Sequence, residues 1–523
     1  MSIDEGAPEN IDQCAPLRTL WLGQHTRSRH QISMVFGVDD LRFSTSYWFE
    51  DVDLLALEAQ FGQAFMRRLY FHMVAFEANK LASLRPDRFD LGPYADLYTV
   101  EFEALWREVF TKVWAQWRYE NDAPDYHGPS FARADALVSP MVETSTQALV
   151  GRRTTSQPSD GDAAELDAAK AQDVAEVPDV GPEGAAGGPV DAPLGPTQIL
   201  SFCGGGKDSL VSMSLLEQGD LPYASLAYSS SIYGAAAKQH ALIDGLLDQG
   251  QSQHRHRMWI YDDFIDAPVL RLHPELDVRS LTAAETPSSF FASLPIVLQH
   301  GYRYVALGHE RSADIGNLIW DQTGEDVNHQ WGKSLEAEGL LRDYIQTQLV
   351  RNVTYFSILK PIYDVLIFNL LRGRLDALAF THSCNIEKPW CMRCPKCAYV
   401  WLNYMAYLPV DQVDAIFGRN LLDVEENQLW FRQMLGLQDH TPFECIGQID
   451  EARLAFELCR RKGLDGVAMR IFVEEVPSVD IASILDHYLV VDLDHAAIPP
   501  AIAEQVGRQM REAARGARER LLG

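Results

Sequence analysis

The hydrophobic pattern of the chain changes near residue 197. Before that point apolar residues recur at helical spacing, as in DVDLLALEAQFGQAFMRRLYFHMVAFEANKLASL, and RFSTSYWFED is typical of a strand that runs into a turn. After it, short strand-like runs alternate with amphipathic helices, beginning with TQILSF and DSLVSMSLLEQG. This alternation predicts an α/β domain, a parallel sheet with helices on both faces, behind a separate α+β N-terminal domain.

A segment with almost no large apolar side chain separates the two parts. Residues 151–196 are rich in Ala, Asp, Glu, Gly and Pro, so they cannot bury enough surface to offset their chain entropy. We therefore expect an N-terminal accessory or substrate domain over 15–150 and a disordered acidic linker over 151–196. A catalytic domain over 197–420 and a mostly helical C-terminal region over 421–523 complete the predicted organisation.

The composition of the chain disfavours nucleic acids and membranes as binding partners. The chain has 523 residues and a formal net charge of −28, which repels nucleic-acid phosphates and anionic lipid headgroups. Its first residues, MSIDEGAPENIDQ, lack the pattern of a signal peptide, and no apolar run approaches the ~20 residues of a membrane span. We expect a cytoplasmic protein with neither a nucleic acid nor a membrane as partner.

A glycine-rich turn follows the first strand of the α/β part. Gly204, Gly205 and Gly206 allow the backbone to approach an anion closely, and the free N–H groups of the next helix point at it. Lys207 adds a positive charge, and the Ser209 hydroxyl is a hydrogen-bond donor. Asp208 is suited to hold Mg²⁺ or to fix the turn.

This segment, GGGKDS, resembles the SGGKDS signature of the PP-loop ATP pyrophosphatases, with Gly204 where most members have Ser. The resemblance implies an ATP site and cleavage of ATP between the α and β phosphates. It also implies that the adenine lies over the end of the second strand, near Tyr228 and Ser229. Cys203, directly before the turn, is grouped with this site, although a small buried residue at a strand end explains it equally.

Four of the eight cysteines lie close together at metal-ligand spacing. Four thiolates make a closed tetrahedral site, which predicts a structural zinc knuckle; an iron–sulfur cluster is the alternative. The predicted ligands are Cys384, Cys391, Cys394 and Cys397.

A polar segment, LGHERSADIGNLIWDQTGEDVNHQWGKSLEAE, follows the fourth strand. It begins at the carboxyl end of that strand, where parallel sheets bind ligands. We expect it to supply substrate contacts and a catalytic base. The predicted substrate-binding residues are His309, Arg311, Ser312, Asn317, Asn328 and Ser334.

The base must titrate near the working pH, which favours His329. Glu310 could serve instead if burial raised its pKa, and Lys333 if burial lowered its pKa. A role of His329 in hydrogen bonding the substrate is an equal alternative. Together with Asp208, these three residues are the predicted catalytic set.

The motifs GGGKDS, AETPSSFFASLP, LGHERSADIGN, VNHQWGKS and SC-x6-CMRCPKC together resemble the MurL-type UDP-N-acetyl-α-D-muramoyl-L-alanyl-L-glutamate epimerases over about residues 199–398. The resemblance implies ATP-dependent inversion of the terminal L-glutamate of UDP-MurNAc-L-Ala-L-Glu, a step of peptidoglycan precursor synthesis. Adenylation of the carboxylate would release pyrophosphate, and AMP would leave after inversion. The implied cofactors are ATP, Mg²⁺ and a structural Zn²⁺.

Two other functions fit parts of the pattern. One is a PP-loop ligase or amidotransferase resembling the deazaguanine (preQ0) synthases, which have a similar cysteine arrangement after the loop. The other is a non-catalytic, ATP-sensing zinc scaffold, against which the intact Lys207-Asp208-Ser209 sequence argues.

Overall fold

A computed structural model describes residues 17–132, 188–266 and 284–522. Most of the predicted linker, 151–187, lies outside the described residues. The end of it, 188–196, is packed on the body of the protein: Val190 forms a bridge with Val350, and Gly195 N–H donates to the Gly301 carbonyl at 2.8 Å. Residues 188–196 therefore contact the folded protein before the first strand of the α/β part begins.

The described residues contain thirteen strands and sixteen α-helices. The strands are β1 (Thr19–Leu22), β2 (Thr26–Arg27), β3 (Gln31–Val38), β4 (Leu41–Phe49), β5 (Arg88–Asp90), β6 (Ser130–Phe131), β7 (Ile199–Cys203), β8 (Tyr223–Ser230), β9 (Arg255–Asp262), β10 (Tyr304–Leu307), β11 (Leu318–Ile319), β12 (Asp326–Val327) and β13 (Thr354–Ser357). The helices are α1 (Leu54–Phe61), α2 (Gln63–Ala78), α3 (Val100–Glu108), α4 (Ala115–Glu120), α5 (Lys207–Gln218), α6 (Ala236–Leu247), α7 (Glu285–His300), α8 (Leu335–Gln348), α9 (Asp364–Leu370), α10 (Pro395–Tyr407), α11 (Val410–Phe417), α12 (Asn427–Met434), α13 (Ile449–Arg461), α14 (Val467–Glu475), α15 (Ile481–Tyr488) and α16 (Pro500–Leu522).

One mixed sheet of eleven strands organises the fold, in the order β13-β10-β7-β8-β9-β4-β3-β1-β5-β6, with β2 paired to β3. Strands β7 to β10 and β13 are parallel, as the alternation of strands and helices predicts. The chain begins this half at β7, adds β8 and β9 on one side, and returns to add β10 and β13 on the other. Strand order therefore reverses at β7, which is where open α/β sheets form a ligand crevice.

The two faces of the parallel half are buried in different cores. Along β7, Leu200 belongs to the core shared with the N-terminal segment, whereas Ile199 belongs to the core shared with the C-terminal helices. In β13, Tyr355 belongs to the core shared with the N-terminal segment and Phe356 to the core shared with the C-terminal helices. Because successive side chains point to opposite faces, strands covered on both sides are apolar at most positions and do not alternate with polar ones.

The N-terminal strands continue this sheet and do not form one of their own. Strand β4 pairs antiparallel with β9, with Tyr47 opposite Ile260 and Trp48 opposite Trp259. The α+β N-terminal domain, which the sequence predicts to be separate, is thus joined edge to edge to the parallel half. The pairing covers an edge of β9 that would otherwise present free backbone groups.

The C-terminal region is helical as expected, from α12 to the long helix α16. Within the described residues, no helix combines the length and the apolar character needed to cross a membrane.

Candidate functional site

The glycine turn lies between β7 and α5, at the point where strand order reverses. Gly205 has φ +85°, and a Cβ at this position would overlap the imidazole of His382. A Cβ at Gly206 would lie 2.8 Å from the Ser383 hydroxyl. Gly204 has open space around it. The turn is therefore closely backed by residues 382–383 on one side and open at its first glycine.

His382 is buried behind the turn, and within the described part of the chain neither of its ring nitrogens has a hydrogen-bond partner. Its backbone N–H donates to the Gly205 carbonyl at 2.8 Å, which fixes the ring against the turn. Burial, assisted by Lys388, lowers the pKa of His382 to about 3, so the ring is neutral at physiological pH. An unpaired buried imidazole is costly unless a ligand satisfies it.

Lys207 forms the centre of a buried charge cluster. Its Nζ donates to Asp208 and to Asp364, each at 2.6 Å. Burial alone would lower the pKa of Lys207, but the carboxylates around it outweigh burial and raise that pKa well above its usual value. Tyr399 donates to the second oxygen of Asp364 at 2.9 Å. The side chain predicted to contact phosphate is thus already paired twice.

The other residues assigned to nucleotide binding have internal partners of their own. Ser209 accepts a hydrogen bond from Gly204 N–H at 3.2 Å. Ser229 bonds to His240 at 2.8 Å and donates to the Met258 carbonyl. Cys203 is buried at the end of β7, while Tyr228 is only partly buried on β8.

At the end of β10, His309 and Glu310 are buried, with the His309 ring 3.1 Å from the Ser357 hydroxyl. Arg311 pairs with Asp492 at 3.2 Å. Ser312 donates to Glu451 at 2.7 Å. These contacts connect the segment to the C-terminal region.

The rest of the polar segment folds as a loop held by its own amides. Asn328 donates to the Ala313 carbonyl at 2.9 Å and accepts from Gln330 N–H, and Ser334 caps α8. Asn317 accepts from the His329 N–H at 2.9 Å and donates to Thr441 at 3.0 Å. Asn317 therefore links the His329 loop to residues 441–445.

That link brings together a cluster that the sequence analysis missed. Lys333 Nζ lies 2.7 Å from the Sγ atom of Cys445. Potential ligand atoms of His329, Glu444 and Cys445 all lie within 4.8 Å of one another. More than a hundred residues separate Cys445 from Lys333 and from His329 in the chain, so no local motif marks the cluster.

Two of the predicted bases have environments that weaken them. Burial alone would raise the pKa of Glu310, but the positive charges of Lys207 and Lys333 outweigh burial and lower that pKa. Burial alone would lower the pKa of Lys333, yet Cys445 and Glu310 raise that pKa far above its usual range. Glu310 is thus a weak base, and Lys333 is a permanent cation.

The four clustered cysteines converge as predicted. Their sulfur atoms lie within 4.8 Å of one another, with Cys384 to Cys394 and Cys391 to Cys397 each 3.8 Å apart. Four sulfurs about 2.3 Å from one zinc ion are about 3.8 Å apart in a tetrahedron. A disulfide requires about 2.05 Å. The cluster is a possible metal site compatible with structural zinc.

A cavity of about 410 Å³ lies beside the polar segment. Asp314, Asn328, Ser334 and His495 contribute to its lining, but neither Lys207 nor Cys445 does.

The fold and the site define an α/β protein with a glycine turn at the reversal of strand order and a cluster of four cysteines that could hold a metal. Family models described as the MurL N-terminal domain and the MurL C-terminal domain match residues 287–358 and 378–479. No solved structure matches the chain.

Curated relatives agree with the family models. Three proteins named UDP-N-acetyl-alpha-D-muramoyl-L-alanyl-L-glutamate epimerase are 30% identical to this chain. The match to the Salinispora tropica protein covers 53% of this chain and 59% of the relative; for Micromonospora sp. the shares are 53% and 61%. For Xanthomonas oryzae pv. oryzae they are 59% and 67%. The chain belongs to the MurL epimerase family. It spans about three fifths of the first two relatives.

Proposed function

We propose that this protein inverts the terminal L-glutamate of UDP-MurNAc-L-Ala-L-Glu to D-glutamate in an ATP-dependent reaction of peptidoglycan precursor synthesis. The observation that carries the proposal is membership of a family whose curated relatives bear the name of this epimerase. The site geometry supports the ATP requirement and the division of roles below.

The glycine turn suits a phosphate group of ATP. Gly205 has no room for a Cβ, a Cβ at Gly206 would crowd the Ser383 hydroxyl, and the first N–H groups of α5 lie at the positive end of the helix dipole. His382 supports this assignment because a phosphate oxygen would satisfy its unpaired N–H. Lys207 would then act through its charge, and Asp208 is the residue suited to hold Mg²⁺.

Activation explains why an epimerase would consume ATP. A Cα–H beside a free carboxylate is barely acidic, because its removal places a second negative charge next to the first. Adenylation neutralises that carboxylate, releases pyrophosphate and makes the carbonyl withdraw electrons. A modest base then removes the proton, reprotonation from the other face inverts the centre, and water releases AMP.

Of the predicted bases, His329 fits proton transfer best. Glu310 has a lowered pKa and Lys333 a raised one, so both are poor acceptors at neutral pH. His329 is only partly buried, and its loop is held by Asn317. We assign zinc a structural role at the four cysteines, because four thiolates leave no open coordination position.

AMP formation tests the ATP-dependent step. Asp208→Asn keeps the size of the side chain but removes the charge beside Lys207. It should reduce AMP release from ATP, Mg²⁺ and UDP-MurNAc-L-Ala-L-Glu by at least about 100-fold. The matched control is Asp248→Asn, on an exposed aspartate that pairs with Arg255. Equal AMP release by both variants would exclude the assigned role of the turn.

A further inference from the structure

We propose that Cys445 is a catalytic residue that, as a thiolate, removes the Cα proton of the activated glutamate, while Lys333 holds the thiolate and His329 carries the proton away. The inference rests on the proposed function and names the group that touches the reacting carbon.

The geometry around the sulfur is that of a held thiolate. Lys333 Nζ lies 2.7 Å from Sγ, and Lys396 Nζ donates to the carbonyl oxygen of Cys445. The Cys445 N–H donates to Glu444 at 2.8 Å. Lys333 thus holds the side chain, and Lys396 and Glu444 hold the backbone of Cys445, whose side chain is partly exposed and therefore accessible to a substrate.

The charges around Cys445 favour the thiolate. Burial alone raises the pKa of the thiol; the charge of Lys333 lowers that pKa, and so does His329 when the ring nitrogen that faces the sulfur carries a hydrogen. Lys396 acts in the same sense and Glu444 opposes it, and the balance brings the pKa of Cys445 down to about 7.

Two other cysteines provide the contrast. Burial raises the pKa of Cys203 to about 11 and that of Cys459 to about 12. The thiolate is the reactive form of cysteine, so Cys445 differs from both in its chemistry at neutral pH.

His329 has the tautomer that the proton relay needs. Gln116 donates through its amide nitrogen to Glu120 at 3.1 Å, which leaves its Oε1 as an acceptor. His329 Nδ1 lies 2.6 Å from that oxygen and must therefore carry the hydrogen. In neutral imidazole the other nitrogen, Nε2, is then free to accept a proton.

The thiolate is also connected to the glycine turn. Lys207 and Lys333 both lower the pKa of Glu310, and Cys445 and Glu310 both raise the pKa of Lys333, so these charged groups influence one another from the turn to the sulfur. For this step the α-carbon of the activated carboxylate must reach the sulfur of Cys445.

The step balances without a redox partner. The Cα–H bond breaks, its electron pair moves into the activated carbonyl, and an S–H bond forms. The proton passes from sulfur to His329 Nε2, which restores the thiolate. A proton from a solvent-exchangeable acid then adds to the opposite face of Cα and gives the D-epimer.

Deuterium exchange tests this role on the full-length protein. In D₂O with ATP, Mg²⁺ and UDP-MurNAc-L-Ala-L-Glu, Cys445→Ser should still form AMP but incorporate deuterium at Cα at least about 100-fold more slowly than the wild type. Cys459→Ser is the control and should exchange at the wild-type rate. Retained AMP formation would show that Cys445→Ser is folded.

Alkylation gives a second readout that does not depend on turnover. Iodoacetamide should modify Cys445 with a pH midpoint near 7 and modify Cys459 only under strongly alkaline conditions. Lys333→Met should shift the Cys445 midpoint upward, as expected of a residue that holds the thiolate.

The outcomes separate the two proposals. Exchange by Cys445→Ser at the wild-type rate, or a Cys445 midpoint equal to that of a free thiol near about 8.5, would overturn the role of Cys445 and leave the proposed function intact. Absence of both AMP formation and exchange in the wild type would overturn the proposed function together with this inference.

Discussion

At the residue scale, the surroundings of the glycine turn determine which of its positions can have a side chain. Two neighbouring glycines differ in what surrounds them: Gly205 has φ +85° and is backed by His382, whereas Gly204 has open space. Only the first position can therefore accept a side chain. This agrees with the Ser that occupies that position in most PP-loop sequences, whereas a Cβ at Gly205 must displace His382.

Alanine substitutions at the two positions test this difference. Gly205→Ala forces a left-handed backbone and an overlap with His382, so it should lower the free energy of unfolding by about 1–3 kcal/mol and abolish AMP formation. Gly204→Ala should leave both nearly unchanged. Chemical denaturation and an AMP assay on the two variants provide the measurement. Equal behaviour of the pair would contradict the described geometry of the turn.

At the element scale, the cysteine cluster sets the position of a helix that reaches the site. Cys394 caps α10 by accepting from Cys397 N–H at 3.4 Å, and Lys396 in the first turn of α10 donates to the Cys445 carbonyl. A metal at the four sulfurs would therefore fix the start of α10, and with it the Lys396 side chain that contacts Cys445.

We expect about one zinc ion per chain, bound by the four cysteines. Cys394→Ser should lower both the zinc content and the melting temperature, since it removes a ligand and alters the helix cap. Cys459→Ser, which changes a buried cysteine outside the cluster, should retain the metal. Metal analysis and thermal unfolding test this. An unchanged melting temperature after complete zinc removal would contradict a structural role.

Regular elements were predictable from the sequence because each depends on a local pattern. The strand TQILSF, the glycine turn and the spaced cysteines all lie where the pattern places them. The pairing of β4 with β9 was not predictable, since β-pairing between distant segments leaves no periodic signal. Cys445 was missed for the same reason: its partners Lys333 and His329 come from another part of the chain.

At the scale of the whole molecule, buried carboxyl groups join the α/β part to the C-terminal helices. Glu451, at the start of α13, accepts from the Ser312 hydroxyl at 2.7 Å and from Val365 N–H at 3.2 Å. Burial, reinforced by Asp364, raises the pKa of Glu451 to about 8. Three segments that are distant in sequence thus meet at one acid that favours its protonated form.

This raised pKa makes stability depend on pH. The folded state holds the Glu451 proton more tightly than the unfolded state, so this stabilisation is complete below about pH 4 and is lost as pH rises through about 8. Glu451→Gln, which cannot titrate, should lose less free energy of unfolding than the wild type between about pH 5 and 8. The exposed neighbour Asp450→Asn should follow the wild type. Urea denaturation gives the free energy of unfolding of each protein across this pH range. Parallel curves of that free energy against pH for all three proteins would contradict the raised pKa of Glu451.

Inversion of the substrate's glutamate by the whole protein can be measured directly. The purified chain is incubated with ATP, Mg²⁺ and UDP-MurNAc-L-Ala-L-Glu, and the glutamate of the recovered nucleotide is hydrolysed and analysed on a chiral column. We expect D-glutamate that accumulates with time only when ATP is present, together with AMP and pyrophosphate. Glutamate that remains entirely in the L form while ATP is turned over, or inversion that proceeds equally well without ATP, would contradict this expectation.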